Sequence, residues 1–156
     1  MSKGKYRRGV GVMLLNRDGK VFVGARVDNS DDAWQMPQGG IDKGEKPWAT
    51  ALRELEEETG IAPHLVERIA DCPERLRYDL PEELRGKLWG GKWLGQDQDW
   101  YLARFVGDDD DVNIATAHPE FREWKWVAPA DLPDVIVPFK RELYQRILAE
   151  FAPYFS

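Results

Sequence analysis

The sequence predicts an α/β/α sandwich, a mixed β-sheet packed between helices, over a single domain of residues 1–156. Three observations predict it. Short apolar runs of strand type recur along the chain, separated by turn residues. Two longer stretches carry helical period instead, and they are placed between and after the strands. No repeat, low-complexity segment or linker-like stretch divides the chain.

The first strand is expected over Gly9–Leu15, after the basic arm Lys3, Lys5, Arg7 and Arg8. Asn16-Arg17-Asp18-Gly19 is a turn, with Gly19 free to take the left-handed position. Val21–Ala25 returns as the second strand of a hairpin. Arg26–Ala33 reads as a loop, and Trp34–Pro37 as a short strand ending at proline. Gln38-Gly39-Gly40 follows, where the backbone can come close to a ligand.

A helix is predicted from Pro47, a favourable first position, to Thr59, with Gly60 beyond its last turn. Trp48, Ala51, Leu52 and Leu55 make its core stripe. Leu65–Cys72 and Arg75–Leu80 read as strands punctuated by Pro73 and Pro81. Pro81–Gly95 is a long connection carrying Arg85, Lys87, Trp89, Lys92 and Trp93. Trp100–Val106 is a mainly apolar strand expected near the sheet centre. Asp108–Asp111 is a solvated acidic run, and Asn113–Phe121 a loop. In Glu123–Val127 the two tryptophans alternate onto one sheet face. The closing helix is Phe139–Phe151, with Leu143, Ile147 and Phe151 as its buried stripe.

Composition narrows the function classes. Hydrophobic residues are 42% of the 156 and aromatics 12%, which suits one globular core. The net charge of −6 argues against a broad nucleic-acid groove held by phosphate contacts, though not against a partner gripped at one end. Cys72 is the one cysteine, so no intramolecular disulfide is possible. No 18-residue apolar run or signal-type leader occurs, so a soluble, cytoplasmic protein without membrane or DNA partners is expected.

The anomaly lies at the end of the first helix. Glu54, Glu56, Glu57 and Glu58 crowd its last turns. Glu54 lies three and four residues from Glu57 and Glu58, so these three share a face. Like charges at that spacing destabilise a helix, and the C-terminal end of the macrodipole is the worst place for them. A hard divalent cation, which takes oxygen ligands, converts the liability into a site. Glu56 stands to one side and is expected to be solvated.

Gly39, Glu45, Arg53, Glu54, Leu55, Glu57, Glu58, Gly60 and Ile61 match every defined position of G-x5-E-x7-R-E-U-x-E-E-x-G-U, where U is apolar. This segment resembles the signature of the Nudix hydrolases. W-Q-M-P-Q-G-G (Trp34–Gly40), L-R-Y-D-L-P (Leu76–Pro81), Gln96-x-Gln98-x-Trp100, P-E-F-x-x-W-x-W-V (Pro119–Val127) and F-K-R-x-x-Y (Phe139–Tyr144) extend the likeness over roughly residues 6–151. They look like the branch of RNA pyrophosphohydrolases and dinucleoside polyphosphate hydrolases.

The resemblance implies the same sandwich fold and a metal-dependent cleavage of phosphoric anhydride bonds. The first expectation is removal of pyrophosphate from 5′-triphosphorylated RNA, leaving a 5′-monophosphate. The alternative is hydrolysis of diadenosine tetraphosphate to ATP and AMP. A third reading, from another class, is a silent module that senses a nucleotide or RNA. Glu54, Glu57 and Glu58, with Glu120 from a distal loop, would hold Mg²⁺ (or Mn²⁺ or another divalent ion). Glu57 is the preferred general base and Glu120 its competitor. Arg53 would orient a glutamate, with Glu45 doing similar work. Arg7, Gln38, Gly39 and Gly40 are the phosphate-side candidates, with Arg77 behind them. Tyr78, Arg26, Val137, Phe139 and Lys140 would take the nucleobase side. Pro138, where close relatives often carry serine, removes a backbone N–H there. His118 has no second ligand at metal spacing and reads as a loop histidine.

Overall fold

The structure, a computed structural model, describes residues 5–27, 33–82 and 93–155. Among these, seven strands form one sheet. They are β1 (Lys5–Leu15), β2 (Val21–Arg26), β3 (Gln38–Gly40), β4 (Val66–Asp71), β5 (Leu76–Asp79), β6 (Trp93–Phe105) and β7 (Phe121–Val127). The helices are α1 (Pro47–Thr59), α2 (Leu132–Val135) and α3 (Arg141–Phe151). Short 3₁₀ turns at Pro63–Leu65, Asp109–Asp111, Pro129–Asp131, Pro138–Lys140 and Ala152–Tyr154 complete the described chain.

The main path of the sheet is β4-β6-β1-β2-β7, with β3 beside β1 and β5 beside β6. β1 and β6 run parallel from Lys5 opposite Trp93 to Leu15 opposite Arg104, and the other described pairs are antiparallel. The sheet is therefore mixed, and β1 is its middle strand, with β6 alongside.

Alternation along β1 sends its side chains to two cores. Val10, Val12 and Leu14 face α1, where Ala51 and Leu55 meet them with Tyr101, Ala103 and Phe105 of β6. Met13 and Leu15 face the other way, against Leu143, Tyr144, Ile147 and Phe151 of α3. The sandwich follows from this division. Each large apolar side chain fully buried in either layer contributes roughly 1.5–3 kcal/mol.

Helix α1 runs over the span predicted. Pro47 opens it, and Gly60 closes it at φ 73°, its N–H donating to the Glu56 carbonyl at 2.8 Å. Leu52 is a correction: it is only half-buried and stands outside the core cluster, while Trp48 packs edge-on against Tyr101 at 5.0 Å. Trp34–Pro37 is a second correction. Gln35 makes a single bridge to Gly24, and the strand pairing with β1 begins only at Gln38. Pro37 cannot donate to a ladder, although its carbonyl accepts from Val12 at 3.0 Å.

β1 also begins earlier than expected, taking in Lys5, Arg7 and Arg8. β6 starts at Trp93, so Gln96 and Gln98 lie inside a strand. Trp124 and Trp126 share the α1 face, both packed on Phe22. Asp108–Asp111 is exposed, and its Asp109 accepts the Trp126 indole N–H at 2.9 Å. The loop charges at 28–32, Lys3 of the basic arm, and Arg85, Lys87, Trp89 and Lys92 lie outside the described residues.

Candidate active site

The last turns of α1 and the loop before β7 meet around one cavity of about 300 Å³. Glu54, Glu57, Glu58 and Glu120 line it. The structure thus brings the three helix carboxylates and the distal-loop carboxylate together. Glu56 points to solvent, as expected.

Arg53 orders this group. Its Nε and Nη2 donate to both oxygens of Glu45 at 2.7 and 2.8 Å, a bidentate pairing. Its Nη1 donates to Glu54 at 3.1 Å and reaches both oxygens of Glu57 at 3.1–3.2 Å. Glu45 also accepts the Asp42 N–H at 2.9 Å. The Arg53 guanidinium and the Asp42 N–H hold the Glu45 carboxyl down at about 2. Arg53 therefore grips the loop through Glu45 and aligns two of the acidic groups.

The helix carboxylates differ in exposure. The Glu57 side chain is 57% exposed and Glu54 18%, while Glu58 is 2% exposed. Burial, opposed by Arg53 and reinforced by Glu57 and Glu120, pushes the Glu54 carboxyl up to about 7. Burial, with the charges of Glu54 and Glu120, pushes Glu58 well above the ordinary range. The Gln38 N–H donates to Glu58, yet Glu58 Oε2 is buried without a hydrogen-bond partner among the described residues.

That orphaned oxygen tests the fit to a cation. A buried carboxylate oxygen without a partner, beside two more carboxylates, is costly to an isolated chain. Hard oxygen donors in this number suit a divalent ion. The side chains as they stand do not close into a ready cage of three His, Cys, Asp or Glu groups among the described residues. Arg53 occupies the space between Glu54 and Glu57 instead.

The two glycines of β3 have a different use from the one expected. A side chain on Gly39 would run into the Glu54 carboxylate, and one on Gly40 into the Arg7 guanidinium. Their close approach is thus to the chain's own charged groups. Gln38 is fixed by a run of amides: Trp100 Nε1 donates to Gln98 at 2.8 Å, and Gln98 Nε2 donates to Gln38 Oε1 at 2.8 Å and Gln96 Oε1 at 2.7 Å.

Beyond Glu58 lies an aromatic and cationic group. The Tyr78 and Phe139 rings are 6.1 Å apart, and Lys140 Nζ stands 5.0 Å from the Tyr78 ring centre. Burial, with the nearby Arg26 charge, pulls the Lys140 ammonium down to about 8, against the pull of Glu58. Arg26 Nη1 is 3.7 Å from Glu120 Oε2, and its charge also reaches Tyr78. Val137 packs against the α3-side core next to this group.

Arg77 is a correction. Successive strand residues face opposite ways, so Arg77 points away from Tyr78. It pairs with Asp97 at 2.8 and 2.9 Å and stacks over Tyr6 at 3.8 Å.

Three lining residues were not anticipated: Thr116, Ala117 and His118. They precede Glu120 closely, but no spacing marks them. Gln96, Gln98 and Trp100 did carry a signal, since a period of two places all three on one face. Tyr144, whose hydroxyl accepts the Met36 N–H at 2.8 Å, ties α3 to the segment leading into β3.

The NUDIX domain model matches residues 5–147. The chain belongs to the Nudix family. This Nudix chain is 58% identical over 149 residues to the RNA pyrophosphohydrolase of Erythrobacter litoralis, covering 94% of this chain and 91% of that protein. It is 53% identical over 148 residues to the RNA pyrophosphohydrolase of Zymomonas mobilis, covering 95% and 96%. Among solved structures, a binary complex of a C. elegans Ap4A hydrolase superposes with a TM-score of 0.67 at 23% identity, covering 94% of this chain and 98% of that one. The likeness to that structure shows a shared Nudix fold.

Proposed function

We propose that the protein removes pyrophosphate from 5′-triphosphorylated RNA, using divalent ions, and leaves a 5′-monophosphate. What carries this reading is the placement of Tyr78, Phe139 and Lys140 beside Glu58. A stacking surface with a cation adjoins a carboxylate set suited to metal, so a nucleotide and its phosphate chain can be held at once. The two RNA pyrophosphohydrolases, matched over nearly their whole length, support the same substrate.

Glu54, Glu58 and Glu120, with Glu57, would hold Mg²⁺ or Mn²⁺. When bound there, such an ion would supply positive charge to offset that of the leaving pyrophosphate and would make nearby water more acidic. Glu57, the most open of the three helix carboxylates lining the cavity and steered by Arg53, takes the proton of the attacking water. The water oxygen bonds to phosphorus and the bond to the departing pyrophosphate breaks. Arg7 and Gln38 steady the phosphate chain from the β3 side. Arg26, Phe139 and Lys140 receive the bases, and Val137 backs them. A cytoplasmic location is part of this reading, since RNA is its substrate.

The test compares kcat/KM on 5′-triphosphorylated RNA and on diadenosine tetraphosphate, with products identified. RNA is expected to be preferred, with pyrophosphate released. A large preference for the dinucleotide would transfer the reading to a dinucleoside polyphosphate hydrolase. Tight binding of RNA without turnover would leave only a sensing module.

A further inference from the structure

The cavity beside α1 has two chemically unlike linings. Glu54, Glu57, Glu58 and Glu120 form one. Ionised carboxylates accept hydrogen bonds and give none. The other is the loop stretch Thr116-Ala117-His118. A polyphosphate also presents acceptors only. Wherever a cation does not meet its oxygens, it needs donors. Among the described residues lining this cavity, the side-chain donors are the Thr116 hydroxyl and the His118 ring N–H. An imidazole carries at least one N–H in either tautomer.

Thr116 adds an independent observation. Its Oγ1 is buried and makes no hydrogen bond among the described residues. A buried hydroxyl without a partner costs roughly 1–3 kcal/mol, so the position is unfavourable unless something else satisfies it.

Direction follows from the other flank. Tyr78, Phe139 and Lys140 gather beyond Glu58, and none of them lines this cavity. With the bases held there, the end of the phosphate chain farthest from the nucleoside lies along Thr116 and His118.

We infer that Thr116 and His118 form a hydrogen-bonding wall for the terminal phosphates, the part released as pyrophosphate. This rests on the pyrophosphohydrolase reading above. Both residues touch substrate and neither is needed to hold the ions.

Inorganic pyrophosphate is the probe, measured as an inhibitor of the full-length protein at saturating Mg²⁺. Thr116→Val and His118→Ala are each expected to raise its Ki by about fivefold, the worth of one lost hydrogen bond. His118→Gln, which keeps a donor, should restore most of that loss. Affinity for 5′-monophosphorylated RNA and Mn²⁺ binding should stay at wild-type levels in all three, with Tm unchanged in the His118 variants and equal or higher in Thr116→Val, which removes the unpartnered hydroxyl. An unchanged Ki overturns the wall. Equal loss of both products also overturns it, since the loop would then act by moving Glu120. If wild-type protein releases no pyrophosphate from RNA, both readings fall; if it does and the Ki values are unchanged, only the wall falls.

Discussion

Asn113 lies directly against Gly60. Its N–H donates to the Thr59 carbonyl at 2.8 Å, and its own carbonyl oxygen is 2.6 Å from where a Gly60 side chain would begin. The loop that carries Thr116, His118 and Glu120 is thereby docked on the C-terminal end of the acidic helix. Its far end is tied by the Val27 N–H, which donates to the Glu120 carbonyl at 2.9 Å.

Gly60→Ala should therefore harm the site as well as the fold. Alanine at φ 73° is strained by roughly 1–3 kcal/mol and would meet the Asn113 backbone. The expected outcome is a Tm lower by about 5 °C together with weaker Mn²⁺ binding, read by titration. Normal ion binding in a destabilised variant would show that the dock does not position Glu120.

Glu57→Gln is expected to keep the fold and lower kcat by orders of magnitude. Glutamine matches the shape but cannot take a proton from water. Thermal melting and steady-state kinetics check this together. Wild-type turnover would move the base role to Glu120.

The ion-free protein should lose stability as pH rises from 5 to 8. Glu54 titrates near 4.5 when unfolded and near 7 when folded, and Glu58 shifts the same way. The folded state then holds more protons in that interval. The contribution is present below about 4.5 and is lost through about 7, amounting to about 2 kcal/mol after allowance for solvent screening. Glu45, held at about 2, acts at lower pH and with the opposite sign. Melting in chelator at pH 5.5 and 8 should show the fall, and saturating Mg²⁺ should remove it.

Lys140 should make RNA binding weaken above about pH 8. Burial and Arg26 pull its ammonium down to that value, so its charge disappears as pH rises further. The affinity of 5′-monophosphorylated RNA, measured from pH 7 to 9, should fall in wild type and stay flat in Lys140→Met. Parallel curves would assign the effect to another group.

The sequence made the acidic helix legible because its chemistry is local. Pro47, Gly60 and the glutamate spacing all lie within one short segment, and the structure keeps each in its expected place. Glu120 was legible only through a resemblance, since nothing near it in the chain indicates a fourth carboxylate. The Thr116–His118 lining was not legible at all: it depends on Gly60 accepting Asn113, a contact between distant residues. Arg77 misled for a simpler reason. A cation beside Tyr78 reads as phosphate-binding until strand alternation turns it toward Asp97.

The parallel pairing of β1 with β6 has a kinetic consequence. It joins Lys5 to Trp93 and Leu15 to Arg104, so the middle of the sheet closes over a separation of roughly 90 positions. On a growing chain, α1 emerges long before β6 does, and Glu120 later still. The acidic helix must wait for about 60 further residues before Glu120 joins it, and a chain ended before β6 lacks Glu120 and cannot complete the four-carboxylate cavity.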